Sequence, residues 1–202
     1  MKTRIAVLAS VVTAVVAAGV GVGSQAQAAN KGITFAMVRS AAAVAANCLP
    51  NATATVHVEV RDQNEKLTLK ASGLPPNTGF DLFVTQVPNA PFGVSWYQSD
   101  LRSDKHGNAS VTVIGRFNIE TFSVAPNTAP APLTEPGDAS SNPPFAPIQM
   151  YHLGFWFNSP DDAVKAGCAG TVTPFNGGHH AGVQAMSTRN FPDLAGPLST
   201  LS

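Results

Sequence analysis

The chain predicts an all-β fold, an antiparallel β-sandwich with one short helix and one long Pro-rich loop. Three observations carry that expectation. From Thr53 onward apolar residues recur with period two, which places alternate side chains on one face of an extended strand. Polar turn sequences interrupt these runs about every ten residues, the spacing of sandwiches and barrels. Two cysteines, Cys48 and Cys168, stand far apart in a chain that opens like an exported protein, the setting in which a disulfide forms and persists.

Residues 1–28 read as a signal peptide. Lys2 and Arg4 precede an apolar run from Ile5 to Val22, and a short polar stretch ends in Ala26, Gln27 and Ala28, giving the basic, apolar and small-residue parts of a cleavable leader. An uncleaved anchor is the alternative, since about 18 apolar residues lie at the lower edge of a membrane span. Small residues at the cleavage positions favour removal, leaving residues 29–202 as one secreted, soluble, extracellular domain with no membrane attachment.

The stretch Ser40 to Ala46 fits a helix or a strand equally. Thr53 to Val60 alternates, with Val56, Val58 and Val60 on one face and Thr55, His57 and Glu59 on the other. Arg61 to Glu65 is a polar turn, after which Leu67 and Leu69 alternate with Thr68 and Lys70. Further strands are expected at Phe80 to Val87, Val94 to Leu101, Ala109 to Ile114 and Asn118 to Val124, with a tight hairpin at Asp104 to Asn108. Residues 125–147 are rich in Pro, Ala, Ser and Asn and form a long loop within one domain. Ile148 to Phe157 is apolar on both faces and fits a central strand. Ser159 as cap, Pro160 at the first helical position, Asp161 and Asp162 at the positive end and Gly167 as terminator define one short helix. Gly182 to Thr188 gives a last strand.

Leu74, Pro76, Thr78 and Phe80 within Gly73 to Phe80 resemble the Leu-x-Pro-x-Thr-x-Tyr turn of fibronectin type III and related immunoglobulin-like sandwiches. The resemblance implies an immunoglobulin-like sandwich. Phe80 stands where that family has Tyr, so the hydroxyl that bonds back to the upstream backbone is missing here. The Gly-Leu-Pro-Pro-Asn-Thr turn feeding a strand is also similar to turns in secreted bacterial β-domains.

Composition narrows the partners. With the leader removed, ten basic and twelve acidic residues remain, a balance unlike the clustered Lys and Arg that meet phosphates. Neither nucleic acid nor anionic lipid is expected; an extracellular protein or a carbohydrate is. Closing a loop of about 120 residues through Cys48 and Cys168 removes denatured-state entropy worth roughly 4–5 kcal/mol.

No Gly-x-Ser-x-Gly elbow occurs, which closes the common route to exported serine hydrolysis. Glu59, Glu120, Asp81 and Asp100 lie in or beside strands and read as solvent-facing or turn carboxylates. His179 and His180, within Gly177 to Ala181, are the candidate metal ligands, because imidazole is a common ligand for Zn and Cu. His57 and His152 read as strand residues and His106 as a hairpin tip. Trp96 and Tyr97, with Trp156 in the central strand, are the candidate binding residues, since flat rings stack on sugars or anchor protein partners; core packing explains these rings as well and is the preferred reading for Trp156. The leading expectation is a non-catalytic secreted module, binding, surface-associated or structural, with no cofactor. The rival is an exported enzyme or metal-binding protein with its site near Gly177 to Ala181.

Overall fold

The computed structural model describes residues 32–124, 147–173 and 180–202. The expected leader, His179 and nearly all of the 125–147 loop lie outside the described residues. Ten strands are described: β1 Gly32–Arg39, β2 Thr53–Val60, β3 Glu65–Ser72, β4 Gly79–Thr85, β5 Ser95–Arg102, β6 Ala109–Gly115, β7 Phe122–Val124, β8 Pro147–Gln149, β9 His152–Phe157 and β10 Gln184–Ser187. Two short helices, α1 Ala41–Ala45 and α2 Pro160–Lys165, follow β1 and β9, and a 3-10 turn spans Pro197–Thr200.

Every strand pair is antiparallel. Eight strands form one sheet in the order β5-β4-β9-β10-β1-β2-β3-β6, and β7 and β8 make a separate ribbon. The outermost strands β5 and β6 are consecutive in sequence and meet at a hairpin bridged by Ser103 and Ala109, so the sheet curls until it is nearly closed. Its two halves join opposite that hairpin through a short pairing of β1 with β10, at Val38 with Ser187 and Arg39 with Met186. Inward positions follow the period-two pattern: Val56 and Val58 on β2, Leu67 and Leu69 on β3, and Leu153, Phe155 and Phe157 on β9 are all fully buried. Phe80 packs edge-on to Phe155 at 5.4 Å between ring centres and tilted on Phe157 at 5.0 Å. Each such side chain contributes about 1.5–3 kcal/mol on leaving water.

The Gly73 to Phe80 corner is pinned by a different group from the one its resemblance implies. Ser103 Oγ accepts from Thr78 N at 2.9 Å and donates to the Pro75 carbonyl. At the next hairpin Asp104 Oδ1 accepts from the backbone of His106 and Asn108. Those bonds, the Asn108 one foremost, hold its carboxyl below the usual range.

Three elements depart from the sequence expectations. β1 was not anticipated, although Phe35 and Met37 alternate inward. Asn118 to Val124 is strand only at its end, because Asn118 N bonds Thr121 Oγ1 and Glu120 N bonds Asn118 Oδ1 to close a turn. The buried carboxylate of Glu65 holds that turn through Phe117 N at 2.7 Å and Asn118 Nδ2 at 3.1 Å. Ile148 to Phe157 breaks into β8 and β9 because Met150 N turns aside to the Thr121 carbonyl and the Tyr151 carbonyl accepts from Leu198 N.

Helices α1 and α2 are a repeated device. The sequences 41–48 and 161–168 share Ala43/Ala163, Val44/Val164, Ala46/Ala166 and Cys48/Cys168 at one offset. Ser40 Oγ caps α1 by accepting from Ala43 N, and Ser159 Oγ caps α2 by accepting from Asp162 N. Ala43 and Ala163 are both fully buried. Each helix ends through a residue of positive φ, Asn47 at 50° and Gly167 at 76°, after which the cysteine N–H bonds the carbonyl five residues back, Cys48 to Ala43 and Cys168 to Ala163. This is the six-to-one bond of a Schellman termination. The two cysteines so placed form the expected disulfide, with a Cα separation of 5.2 Å.

Candidate functional site

A cleft of about 780 Å³ lies beside this disulfide. One wall is the small-residue surface of α1, formed by Ala41, Ala42, Ala45 and Ala46; the others are the loop Asn89 to Phe92 and the strip Ala169 to Thr173, with Val183 and Gln184 at the base. Alanine on a helix face leaves room that a longer side chain would fill. The loop wall is held by Gln86, whose Oε1 accepts from Val94 N at 3.1 Å, and it contains the cis Ala90–Pro91 bond. Among the described residues no charged side chain lines the cleft.

Below it lies a buried polar layer on the outer side of β4, β9 and β10. Strand register puts Asp81 beside Trp156, Phe83 beside Gly154 and Thr85 beside His152, with Gln184 and Ser187 on the far side of β9. Gly154 is the centre of this layer because a Cβ there would lie 2.4 Å from Gln184 Nε2 and 2.8 Å from the Trp156 ring. Thr85 Oγ1, Gln184 Nε2 and Ser187 Oγ are buried without a hydrogen-bond partner, an arrangement that costs stability wherever it occurs.

The burial here bears out the core reading of Trp156 over the binding one and corrects the expectation for Asp81. Trp156 is fully buried; its ring stands edge-on to Phe83 at 5.4 Å and to Phe92 at 5.0 Å, so it supports the cleft wall and offers no face to a partner. Asp81, expected to face solvent, is also fully buried, directly across from Asp100 on β5. The outer side of β9 is covered, as its two apolar faces predict, and the cover extends over Asp81 on the neighbouring β4.

His152 belongs to this layer. Its Nδ1 lies 2.9 Å from Thr188 Oγ1, and its Nε2 lies 3.1 Å from the carbonyls of Pro192 and Asp193. Two carbonyls at Nε2 require that nitrogen to donate, so Nδ1 accepts from Thr188 when the ring is neutral. Burial pushes the His152 pKa below its ordinary 6.5, against the opposing pull of those carbonyls. A histidine whose folded pKa is lowered binds fewer protons folded than unfolded, so stability falls as pH drops below about 6.5. Thermal melts from pH 7.5 to 5 are expected to show this decline, at most about 1.4 kcal/mol per pH unit for one proton, and His152→Gln is expected to flatten it. An unchanged slope in the variant would assign the decline to other groups.

The remaining expected residues separate. Trp96 and Tyr97 are exposed on β5, at 63% and 43%. Tyr97 packs its ring edge-on to Phe83 and donates its hydroxyl to Asp100 Oδ1 at 2.8 Å. Partial burial, then the Asp100 bond and charge, pushes the phenol up to about 12. Trp96 lies opposite Val84, on the other side of the sheet from Thr85 and His152. It borders a groove of about 330 Å³ between β5, the end of β6 and β7, with Gln98, Arg116, Glu120 and Phe122. His180 is exposed, His57 Nδ1 lies 2.8 Å from Thr34 Oγ1, and His106 sits at the hairpin tip. Among the described residues no three His, Cys, Asp or Glu side chains group to hold a metal, and no helix is long and apolar enough to cross a membrane.

The cleft itself escaped the sequence reading. Its signal was the alanine run Ala41 to Ala46 taken together with the Asn89–Gly93 turn, which no linear pattern connects. No protein-family model matches the chain, and no curated protein matches it.

Proposed function

We propose that the chain is a secreted, non-catalytic binding module of the extracellular space whose main cleft takes a small, uncharged, apolar molecule. The cleft carries this reading: about 780 Å³ with no charged residue among the described residues of its lining, within the roughly 300–1,000 Å³ range and apolar character of small-molecule sites. A charged ligand would find nothing there to offset its desolvation. The disulfide supports the same reading. Cys48 ends the α1 wall and Cys168 begins the Ala169 to Thr173 wall, so one covalent bond fixes two sides of the cleft before any ligand arrives, which lowers the ordering cost of binding. The finer architecture belongs to the proposal too. The two four-stranded halves on either side of the short β1–β10 pairing support a flattened sandwich of the immunoglobulin-like kind.

Titration with N-phenyl-1-naphthylamine, whose fluorescence rises in apolar surroundings, tests the cleft. Saturable one-to-one binding is expected, weakened at least tenfold in Ala45→Trp, which fills the cleft from the exposed face of α1 while keeping its melting temperature. An absence of saturable binding, or equal binding in the variant, would overturn the reading.

A further inference from the structure

The groove at Trp96 lies on the opposite side of β4 and β5 from the buried polar layer and shares no residue with the apolar cleft. Its chemistry differs. Trp96 and Phe122 are exposed at 63% and 48%, an unusual surface cost in a chain with two tryptophans and 7% aromatic residues. Around these rings stand a guanidinium, a carboxylate and a carboxamide. Arg116 is anchored from behind, its Nη2 donating to the Gln63 carbonyl at 2.9 Å and its Nη1 lying 3.6 Å from the buried carboxylate of Glu65. The same Nη1 lies 3.5 Å from Glu120, whose side chain is 62% exposed. Gln98 donates to the Trp96 carbonyl at 3.4 Å, beside the ring it accompanies.

We propose that this groove is a carbohydrate site. A pyranose has an apolar face of C–H bonds, which suits a flat indole, and an edge of hydroxyls that both donate and accept. Gln98 supplies both functions, Glu120 accepts and Arg116 donates, and the acidic and basic groups offset each other, so the groove suits a neutral polyhydroxylated ring. A lipid tail would strip water from Gln98, Glu120 and Arg116 without bonding any of them, and an anionic ligand would meet Glu120. The volume of about 330 Å³ is at the lower end of small-molecule sites, which fits a terminal sugar at the end of a chain.

The two tryptophans make the test direct. Trp156 is fully buried while Trp96 is open, so iodide quenches Trp96 selectively and Trp156 is an internal reference. The purified protein is first screened on an array of neutral oligosaccharides built from glucose, mannose, galactose and N-acetylglucosamine. A bound glycan is expected to shift the emission to the blue and protect the quenchable fraction from iodide. Trp96→Ala is expected to weaken binding at least about tenfold, with Trp96→Phe restoring most of it and neither changing the melting temperature. Glu120→Gln is expected to weaken it less. Absence of any neutral glycan ligand would overturn the assignment, as would a glycan that binds without protecting Trp96. Protection of Trp96 by protein concentration alone would instead make the groove a self-association surface and overturn it equally.

Discussion

Replacing Cys48 and Cys168 together by alanine is expected to lower the unfolding free energy by about 4 kcal/mol. The bond closes 120 residues, so breaking it restores most of the conformational freedom of the domain to the denatured chain. Native packing is little changed, because each cysteine already has its place fixed by a helix termination, Cys48 N on Ala43 and Cys168 N on Ala163. For a domain of this size the loss corresponds to roughly a 10 °C fall in melting temperature. Urea unfolding of the pair variant, beside the wild type with and without reductant, measures it. Reduced wild type and variant should coincide, and each single replacement should equal the double. A loss under 1 kcal/mol would mean the two helix ends hold together without the bond.

Trp156→Ala is expected to cost about 3–5 kcal/mol, the range for removing a large buried aromatic side chain. The ring fills space over Gly154 and stands between Phe83 and Phe92, and Phe83 in turn supports Tyr97. Removing it takes away the edge-on ring contact of Phe92 and loosens the Asn89–Phe92 wall, so dye binding in the cleft should fall along with stability. Trp156→Phe retains part of both contacts and should lose less. Trp96→Ala, on an open ring, is expected to stay within about 0.5 kcal/mol of wild type. Denaturant melts of the three variants decide the matter, and a Trp156→Ala protein as stable as Trp96→Ala would contradict its place in the core.

The strands were legible wherever one face was buried and the other wet. Val56, Val58, Leu67 and Leu69 alternate with polar partners, and β2 and β3 lie where that alternation places them. β9, apolar on both faces, read as a central strand with Trp156 in the core, and its outer side is covered as fully as its inner side; that the cover extends to Asp81 on the neighbouring β4 was hidden, because a lone carboxylate in a strand reads as solvent-facing. The helix after Ser159 was readable from its cap, proline and aspartates. The one before Cys48 was not, although the Ala-Val-x-Ala motif shared with residues 163–166 and the common cysteine would have decided it. Of the sites, Trp96 beside its turn was open to a core or an exposed reading, and it lies exposed. The apolar cleft was not, since its walls come from three stretches more than 40 residues apart.

The near-closure of the sheet bears on how such a chain stays dispersed. Acidic and basic residues number twelve each in the sequence, so mutual repulsion between molecules is weak. Exposed strand borders would then be free to add further copies end to end. Here the two terminal strands of the sheet are turned toward one another at their shared hairpin. That arrangement leaves less of the outermost strands open to pairing with another copy.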